Sequence, residues 1–105
     1  MIINERTIDF REEFMDEVLE VQLFSDSKIK AKGRKFVSEM LDFAMETIAT
    51  MPFAFPEYIA KPTVDKIYRR AVFQRNYIII YKVLSNRIEF IKFHHSSRNP
   101  DSVEL

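Results

Sequence analysis

The apolar positions near the start of the chain follow a helical period. They recur at intervals of four, four and three residues, which predicts an amphipathic helix ending at about Phe24. Asp9 and Glu12 have the spacing of a capping box, so we expect the helix to begin there. The outer face of this helix is acidic. The apolar stripe is Phe10, Phe14, Val18 and Val21.

A second helical stripe follows after Ser25-Asp26-Ser27, a segment that interrupts the first pattern and offers a new cap. The second helix is expected to end near Met51, because Pro52 disfavours helical geometry in the residue before it. Gly33 lies inside it, at a cost of about 1 kcal/mol relative to Ala. It marks either a bend or a close approach to the first helix. The stripe is Val37, Leu41, Ala44 and Ile48.

The second half of the chain changes to short segments rich in Ile, Val, Tyr and Phe. Residues 66–73, 77–83 and 87–94 are separated by turn-forming pairs, which predicts a three-stranded antiparallel meander. Residues 51–65 form an extended, proline-containing connection, and residues 1–5 fit an edge strand. The predicted order is β-α-α-β-β-β, an α+β fold with a helical hairpin packed on an antiparallel sheet.

Length and composition narrow the class of protein. A chain of 105 residues forms a single domain, residues 1–105. The absence of Cys excludes disulfides, zinc–thiolate sites and thiol nucleophiles. The longest strongly apolar run, residues 77–81, is too short to span a membrane, and the N-terminus has no leader-like segment. We therefore expect a cytoplasmic protein without a membrane partner.

The charge is balanced overall but unevenly distributed. Residues 1–60 carry 7 basic and 12 acidic side chains, whereas residues 61–105 carry 9 basic and 4 acidic ones. Two surfaces with different partners are indicated. A protein that coats a long stretch of nucleic acid is usually basic overall, and this chain is not.

Four local motifs in the predicted order resemble the RelE/ParE superfamily of bacterial toxins from type II toxin–antitoxin systems. They are Ala49-Thr50-Met51-Pro52, Tyr68-Arg69-Arg70, the strand at residues 77–82, and His94-His95-Ser96-Ser97-Arg98-Asn99-Pro100. The last is similar to the ending of ParE-like plasmid-stabilisation proteins. The resemblance implies a toxin that a cognate antitoxin neutralises in a hetero-oligomeric complex. It also implies one of two targets: DNA gyrase, or the ribosome with its messenger RNA.

The RelE-like alternative is a metal-independent endoribonuclease. RNA cleavage needs proton transfer and stabilisation of a charged phosphorane. The resemblance implies that Arg69 or Arg70, together with Arg98, stabilises the phosphorane and that His94 or His95 transfers the proton. We take Arg70, Arg98 and His95 as the candidate catalytic set. However, Ile78 stands where RelE-like nucleases tend to have Arg, and no Tyr follows Arg98. These departures favour the ParE-like function, inhibition by binding gyrase without chemistry. A relic that only binds its antitoxin is a third possibility.

Candidate contacts to the antitoxin or target come from the helix and the meander. Met15, Leu19 and Leu23 lie beside the main stripe of the first helix, where they either widen the core or receive an antitoxin helix. Arg69 and Arg75 are the other candidates, although Arg69 and Arg70 must point to opposite faces of their strand. No cofactor is expected. A metal site is not expected either, since the chain has two His and no Cys.

Overall fold

A computed structural model describes residues 1–29 and 31–95 of the chain. A helical hairpin packs on one face of a five-stranded sheet, which confirms the predicted α+β class. The helices are α1 (Glu12–Lys28) and α2 (Lys32–Asp42), and α2 continues into a π-helical segment (Phe43–Ile48). The strands are β1 (Ile2–Ile3), β2 (Arg6–Phe10), β3 (Tyr68–Phe73), β4 (Tyr77–Val83) and β5 (Arg87–His95).

The N-terminal segment contains one more strand than the sequence predicts. A tight turn at Asn4 and Glu5, both with positive φ, folds β1 back on β2, and β2 then pairs with β5 in parallel. The predicted capping box is wrong, because Phe10 is the last residue of β2 and α1 begins at Glu12. Asp9 instead accepts a hydrogen bond from Arg87 at 3.1 Å, within an ion pair between neighbouring strands.

The first helix of the hairpin, α1, extends further than the sequence predicts. α1 runs through Ser25-Asp26-Ser27 to Lys28, so the predicted break at these residues is wrong. The close approach predicted as one role of Gly33 is confirmed. A Cβ atom at this position would lie 2.3 Å from the backbone oxygen of Gln22. The Gly33 amide also donates to Asp26 Oδ1 at 2.8 Å, which ties the start of α2 to the last turns of α1.

The meander is confirmed, and it forms one side of the sheet in the order β1-β2-β5-β4-β3. β3 and β4 pair from Tyr68↔Lys82 to Phe73↔Tyr77, and β4 and β5 pair with a bulge that leaves Ile91 without a direct partner in the ladder. Alternate residues of β3 and β4 face the helices, and the others face away from them. On β5 the bulge shifts the alternation, so that Phe90 and Phe93, three residues apart, both face the helices.

The main core lies between the helical hairpin and the sheet. Its side chains are mostly aromatic and branched, and the Phe14 ring contacts both the Phe90 and the Phe93 rings at the centre. A second, smaller apolar cluster lies on the face of the sheet away from the helices. Within residues 1–29 and 31–95, no helix is long and apolar enough to cross a membrane.

Candidate functional site

The sheet face that points away from the helices is the first candidate surface, and we call it the open face. Strand pairing arranges its side chains in three rows across β3, β4 and β5. One row is Val72, Ile78 and His94, the next is Arg70, Ile80 and Lys92, and the third is Tyr68, Lys82 and Glu89.

The centre of the open face is apolar. Ile78 is only 3% exposed, and Ile80 in the next row is completely buried. Both belong to the second cluster, with Tyr58 and Tyr68 packed over them. Ile78 cannot donate a hydrogen bond or carry charge, so the position that the resemblance to RelE-like nucleases marks as cationic provides no electrostatic stabilisation for a reacting phosphate.

One exposed cation borders this apolar centre. Arg70 is exposed on β3, and Lys92 occupies the same row of the ladder on β5, with Ile80 between their backbones. Two strand spacings separate these backbones by roughly 10 Å. The Lys92 ammonium lies 3.5 Å from Glu13 of α1, so its charge is paired on the helix side of the sheet, next to the bulge in β5. Sequence reasoning did not single out Lys92, because only the strand register shows that it shares a row with Arg70.

Arg69 has a structural environment. Its Nε donates to the Lys66 carbonyl oxygen at 2.9 Å, and its Nη1 donates to the carbonyl oxygens of Phe55 at 2.9 Å and Phe53 at 3.3 Å. The guanidinium also lies 4.9 Å from the centre of the Phe53 ring. These contacts anchor the connection before β3. Arg69 and Arg70 face opposite sides of the sheet, as predicted.

The two histidines also lie on opposite faces, as their adjacency in a strand requires. His94 is buried opposite Ile78 on the open face. His95 is exposed on the helix side, where its ring meets the Tyr77 ring edge-on at 5.5 Å. The predicted nuclease pair Arg70 and His95 is thus divided between the two faces. Arg98, the third predicted residue, lies outside the described residues.

The helix side of the sheet also holds a buried phenol. The Tyr81 hydroxyl donates to the Pro52 carbonyl oxygen at 2.6 Å, and the side chain is completely buried. Burial raises the pKa of Tyr81 well above its usual range, and the nearby positive charge of Arg69 opposes only part of that rise. Tyr81 is therefore a neutral donor that holds the end of the helical hairpin to the sheet.

The second candidate surface is the exposed side of α1. Met15, Leu19 and Leu23 are 37%, 49% and 62% exposed, so they do not widen the core. Their spacing of four residues places them in one stripe along the helix, which we call the α1 stripe. Asp16 and Glu20 are exposed on the same helix. Of the two roles predicted for these residues, the core role is wrong, and contact with a partner stays a prediction.

Arg75 lies at the tip of the β3–β4 hairpin. It and Gln74 have φ values of 65° and 48°, a left-handed conformation, in the three-residue loop between Phe73 and Tyr77. Neither residue is Gly or Asn, so the turn is strained. The Gln74 side-chain amide donates to a carboxylate oxygen of Glu39 on α2, which fixes the turn against the helix.

No protein-family model and no curated protein match the chain. Several solved structures share its fold. The chromosomal ParDE toxin–antitoxin system from P. aeruginosa matches with a TM-score of 0.68 and 10% identity, over 87% of this chain and 96% of that one. The E. coli DinJ–YafQ toxin–antitoxin complex matches with a TM-score of 0.55 and 17% identity, over 89% and 94%.

A third match is the protein HP0894 from Helicobacter pylori, with a TM-score of 0.55 and 11% identity over 89% of this chain and 97% of that one. All three alignments cover nearly nine-tenths of the chain. The structural comparisons agree with the resemblance that the sequence motifs carry. The chain has the RelE/ParE-like toxin fold.

Proposed function

We propose that the protein is the toxin of a type II toxin–antitoxin pair and that a cognate antitoxin neutralises it by covering the α1 stripe. The observation that carries this proposal is an exposed apolar stripe on a helix of this fold. Met15, Leu19 and Leu23 contribute apolar surface that a monomeric protein has no internal reason to leave in water. The fold shared with the ParDE and DinJ–YafQ proteins supports the same proposal.

The chemistry of the stripe specifies the antitoxin segment. Aliphatic side chains at four-residue intervals suit the apolar face of a partner helix, whose anchors recur at similar spacing. Asp16 and Glu20 beside them would meet basic residues of the antitoxin. We therefore expect an amphipathic antitoxin segment with Leu- or Ile-like anchors and a basic flank.

The toxic activity that we propose is ParE-like inhibition of DNA gyrase by binding. The apolar centre at Ile78 and Ile80 supports this, because neither side chain carries charge or can transfer a proton at the position where RelE-like nucleases tend to have Arg. The placement of the two histidines supports it as well. His95 lies on the opposite face of the sheet from Arg70, and His94, on the same face as Arg70, is only 3% exposed, so neither is presented to a phosphate together with Arg70.

A ribosome-dependent endoribonuclease is the second candidate. The observation that favours it is the exposed Arg70 on the open face, beside the apolar strip at Ile78 and Ile80. A phosphate bound at this strip would gain charge stabilisation from Arg70. Under this alternative, Arg70→Ala removes RNA cleavage; under the gyrase proposal, the chain cleaves no RNA.

The antitoxin surface can be tested by growth and rescue in a bacterial host. Induction of the chain alone should stop growth, and co-expression of its cognate antitoxin should restore it. The double variant L19D/L23D should still stop growth but should no longer be rescued, because buried carboxylates oppose docking. A matched control is I59D/V64D, which changes two other exposed apolar residues and should be rescued like the parent. Growth unaffected by the parent chain, or full rescue of L19D/L23D, would contradict the proposal.

A further inference from the structure

A dense run of basic residues occupies the tip of the helical hairpin. Residues 28–35 contain five basic residues and no acidic one, in a chain whose net charge is zero. The four whose side chains the structure describes are all exposed, and they extend from the end of α1 into the first turns of α2. They are Lys28, Lys32, Arg34 and Lys35.

The charge of this run is weakly compensated. The first turn of α2 has no acidic residue, so Lys32 and Arg34 lie at the positive end of the helix dipole, where cations are disfavoured. The Asp26 carboxylate, which accepts from the Gly33 amide, supplies one negative charge at this end. One ion pair is described for the run, Lys35 with Glu39 at 3.9 Å, and the Lys35 side chain remains 79% exposed. Such an arrangement raises the local positive potential and is relieved when an anion binds.

The β3–β4 turn adds a fifth cation beside the run. A shallow groove of about 220 Å³ separates the start of α2 from this turn and is lined by Lys32, Lys35, Phe36, Glu39 and Gln74. Arg75 follows Gln74 in the strained turn, and the bond from Gln74 to Glu39 holds the turn against α2. Arg75 is exposed and directly follows Gln74, a residue that lines the groove, so its charge lies near the run.

We propose that Lys28, Lys32, Arg34, Lys35 and Arg75 form a docking patch for the phosphate backbone of duplex DNA. The floor of the groove is closed, because Phe36 is 8% exposed and packs against Phe73 and Tyr77. It offers neither a pocket for the apolar anchor of a peptide nor a ring for base stacking. Exposed cations without such anchors are the means by which proteins contact phosphates independently of sequence.

The choice of DNA over RNA rests on the proposed function, since a gyrase inhibitor would meet the DNA that the enzyme holds. An anionic membrane is disfavoured as the partner. The Lys28 ammonium group lies over the exposed Phe24 ring, 5.4 Å from its centre, so this face of the ring is not available for insertion between lipids. The patch would add a DNA contact to the protein–protein contact with the target enzyme.

The test is a binding assay with the purified full chain and a fluorescent 20-base-pair DNA duplex, which does not depend on toxicity. We expect a dissociation constant on the order of 1–10 µM at 50 mM salt, weakening steeply as salt increases. The variant K32A/R34A/K35A keeps helix-forming residues in α2 and should bind at least tenfold more weakly. Its slope of log affinity against log salt should be shallower by roughly 3, because about 0.9 is lost per phosphate contact.

A matched control, K61A/K66A/R87A, removes the same charge from other exposed positions and should bind like the parent. Equal losses in the two variants would overturn the patch, as would the absence of DNA binding by the parent at 50 mM salt. Tighter binding of the parent to an RNA hairpin, to poly-glutamate or to anionic phosphatidylserine vesicles would overturn the assignment to DNA. If K32A/R34A/K35A no longer binds DNA but still arrests growth, the patch is a DNA-binding surface that the proposed toxin function does not require.

Discussion

Gly33 donates its backbone N–H to the Asp26 carboxylate at 2.8 Å, and this contact sets how closely α1 and α2 approach. The first amides of a helix have no partner within the helix, so a side-chain acceptor there acts as a cap. Here the acceptor comes from the preceding helix rather than from the residue before α2. The hairpin tip therefore needs Gly at position 33 and an acceptor at position 26.

Replacement of Gly33 by Ala tests the close approach. Ala is favoured over Gly by about 1 kcal/mol in a helix interior, so propensity alone predicts stabilisation. The new Cβ atom would lie 2.3 Å from the Gln22 backbone oxygen, and the helices would have to separate. We expect a net loss of about 1–3 kcal/mol in the free energy of unfolding, measured by urea denaturation. Ser38→Ala, at an exposed position of α2, should be neutral or slightly stabilising; a stabilised G33A variant would refute the packing described above.

Tyr81→Phe tests the hydrogen bond to Pro52. The substitution leaves the ring in place but removes the donor from a buried carbonyl oxygen. The free energy of unfolding should fall by about 1–3 kcal/mol at pH 7. Tyr77→Phe is the matched control, because Tyr77 is only partly buried and packs through its ring; its loss should be clearly smaller. Equal losses would show that the hydroxyl of Tyr81 has no special role.

Alkaline unfolding tests the protonation state of Tyr81. Burial raises the pKa of Tyr81 above the value of about 10 that it has in the unfolded chain. Its contribution is therefore fully present below pH 10 and is lost as the pH rises above 10, because only the unfolded chain then releases the proton. We expect the parent to lose up to about 1.4 kcal/mol per pH unit relative to Y81F. Parallel stability curves for the two proteins above pH 10 would contradict this environment.

Arg69→Lys tests whether a charge alone can anchor the connection before β3. Three carbonyl oxygens accept from the Arg69 guanidinium, and a Lys ammonium cannot reproduce that fork. We expect residues 53–66 to lose hydrogen-exchange protection and the protein to lose about 1–2 kcal/mol of stability. Arg70→Lys, on the exposed neighbour, should change stability by less than about 0.5 kcal/mol. Unchanged hydrogen-exchange protection in R69K would contradict the anchoring role. The partner contact predicted for Arg69 from the sequence would then be its remaining role.

The meander could be predicted because its strands carry two independent signals. β-branched and aromatic residues fill residues 68–73, 77–83 and 87–95, and polar turn residues separate them. The opposite orientations of Arg69 and Arg70, and of His94 and His95, follow from strand alternation alone. Strand alternation does not show which face of the sheet the helices cover. Only the structure therefore shows that Arg70 and His95 lie on opposite faces.

The secondary structure of the N-terminal half was harder to predict, because some of its residues fit two structural patterns equally well. Phe10 fits the helical stripe of α1 as well as it fits β2, and pairing with β5, which is distant in sequence, decides for the strand. Ser25-Asp26-Ser27 has the composition of a helix cap, yet Asp26 caps the next helix while it remains inside α1. Long-range contacts overrule local propensity in both places.

Charge counting over half of the chain concealed the basic patch. Residues 1–60 have a net charge of −5, but five of their seven basic residues fall within residues 28–35. A shorter window would have found the run, whereas its proximity to Arg75 depends on how the hairpin turn meets α2. The exposure of Met15, Leu19 and Leu23 also depends on packing. Periodicity shows which side of the helix faces the core, but not how far around the helix the core extends.

The central claim is that the protein arrests growth by binding a replication enzyme and not by cleaving RNA. The most direct measurement is pulse labelling with thymidine and an amino acid during the first minutes after the chain is induced alone in a bacterial host. We predict that thymidine incorporation falls first while amino-acid incorporation continues. Collapse of amino-acid incorporation while thymidine incorporation continues would contradict the claim and establish translation as the target, despite Ile78.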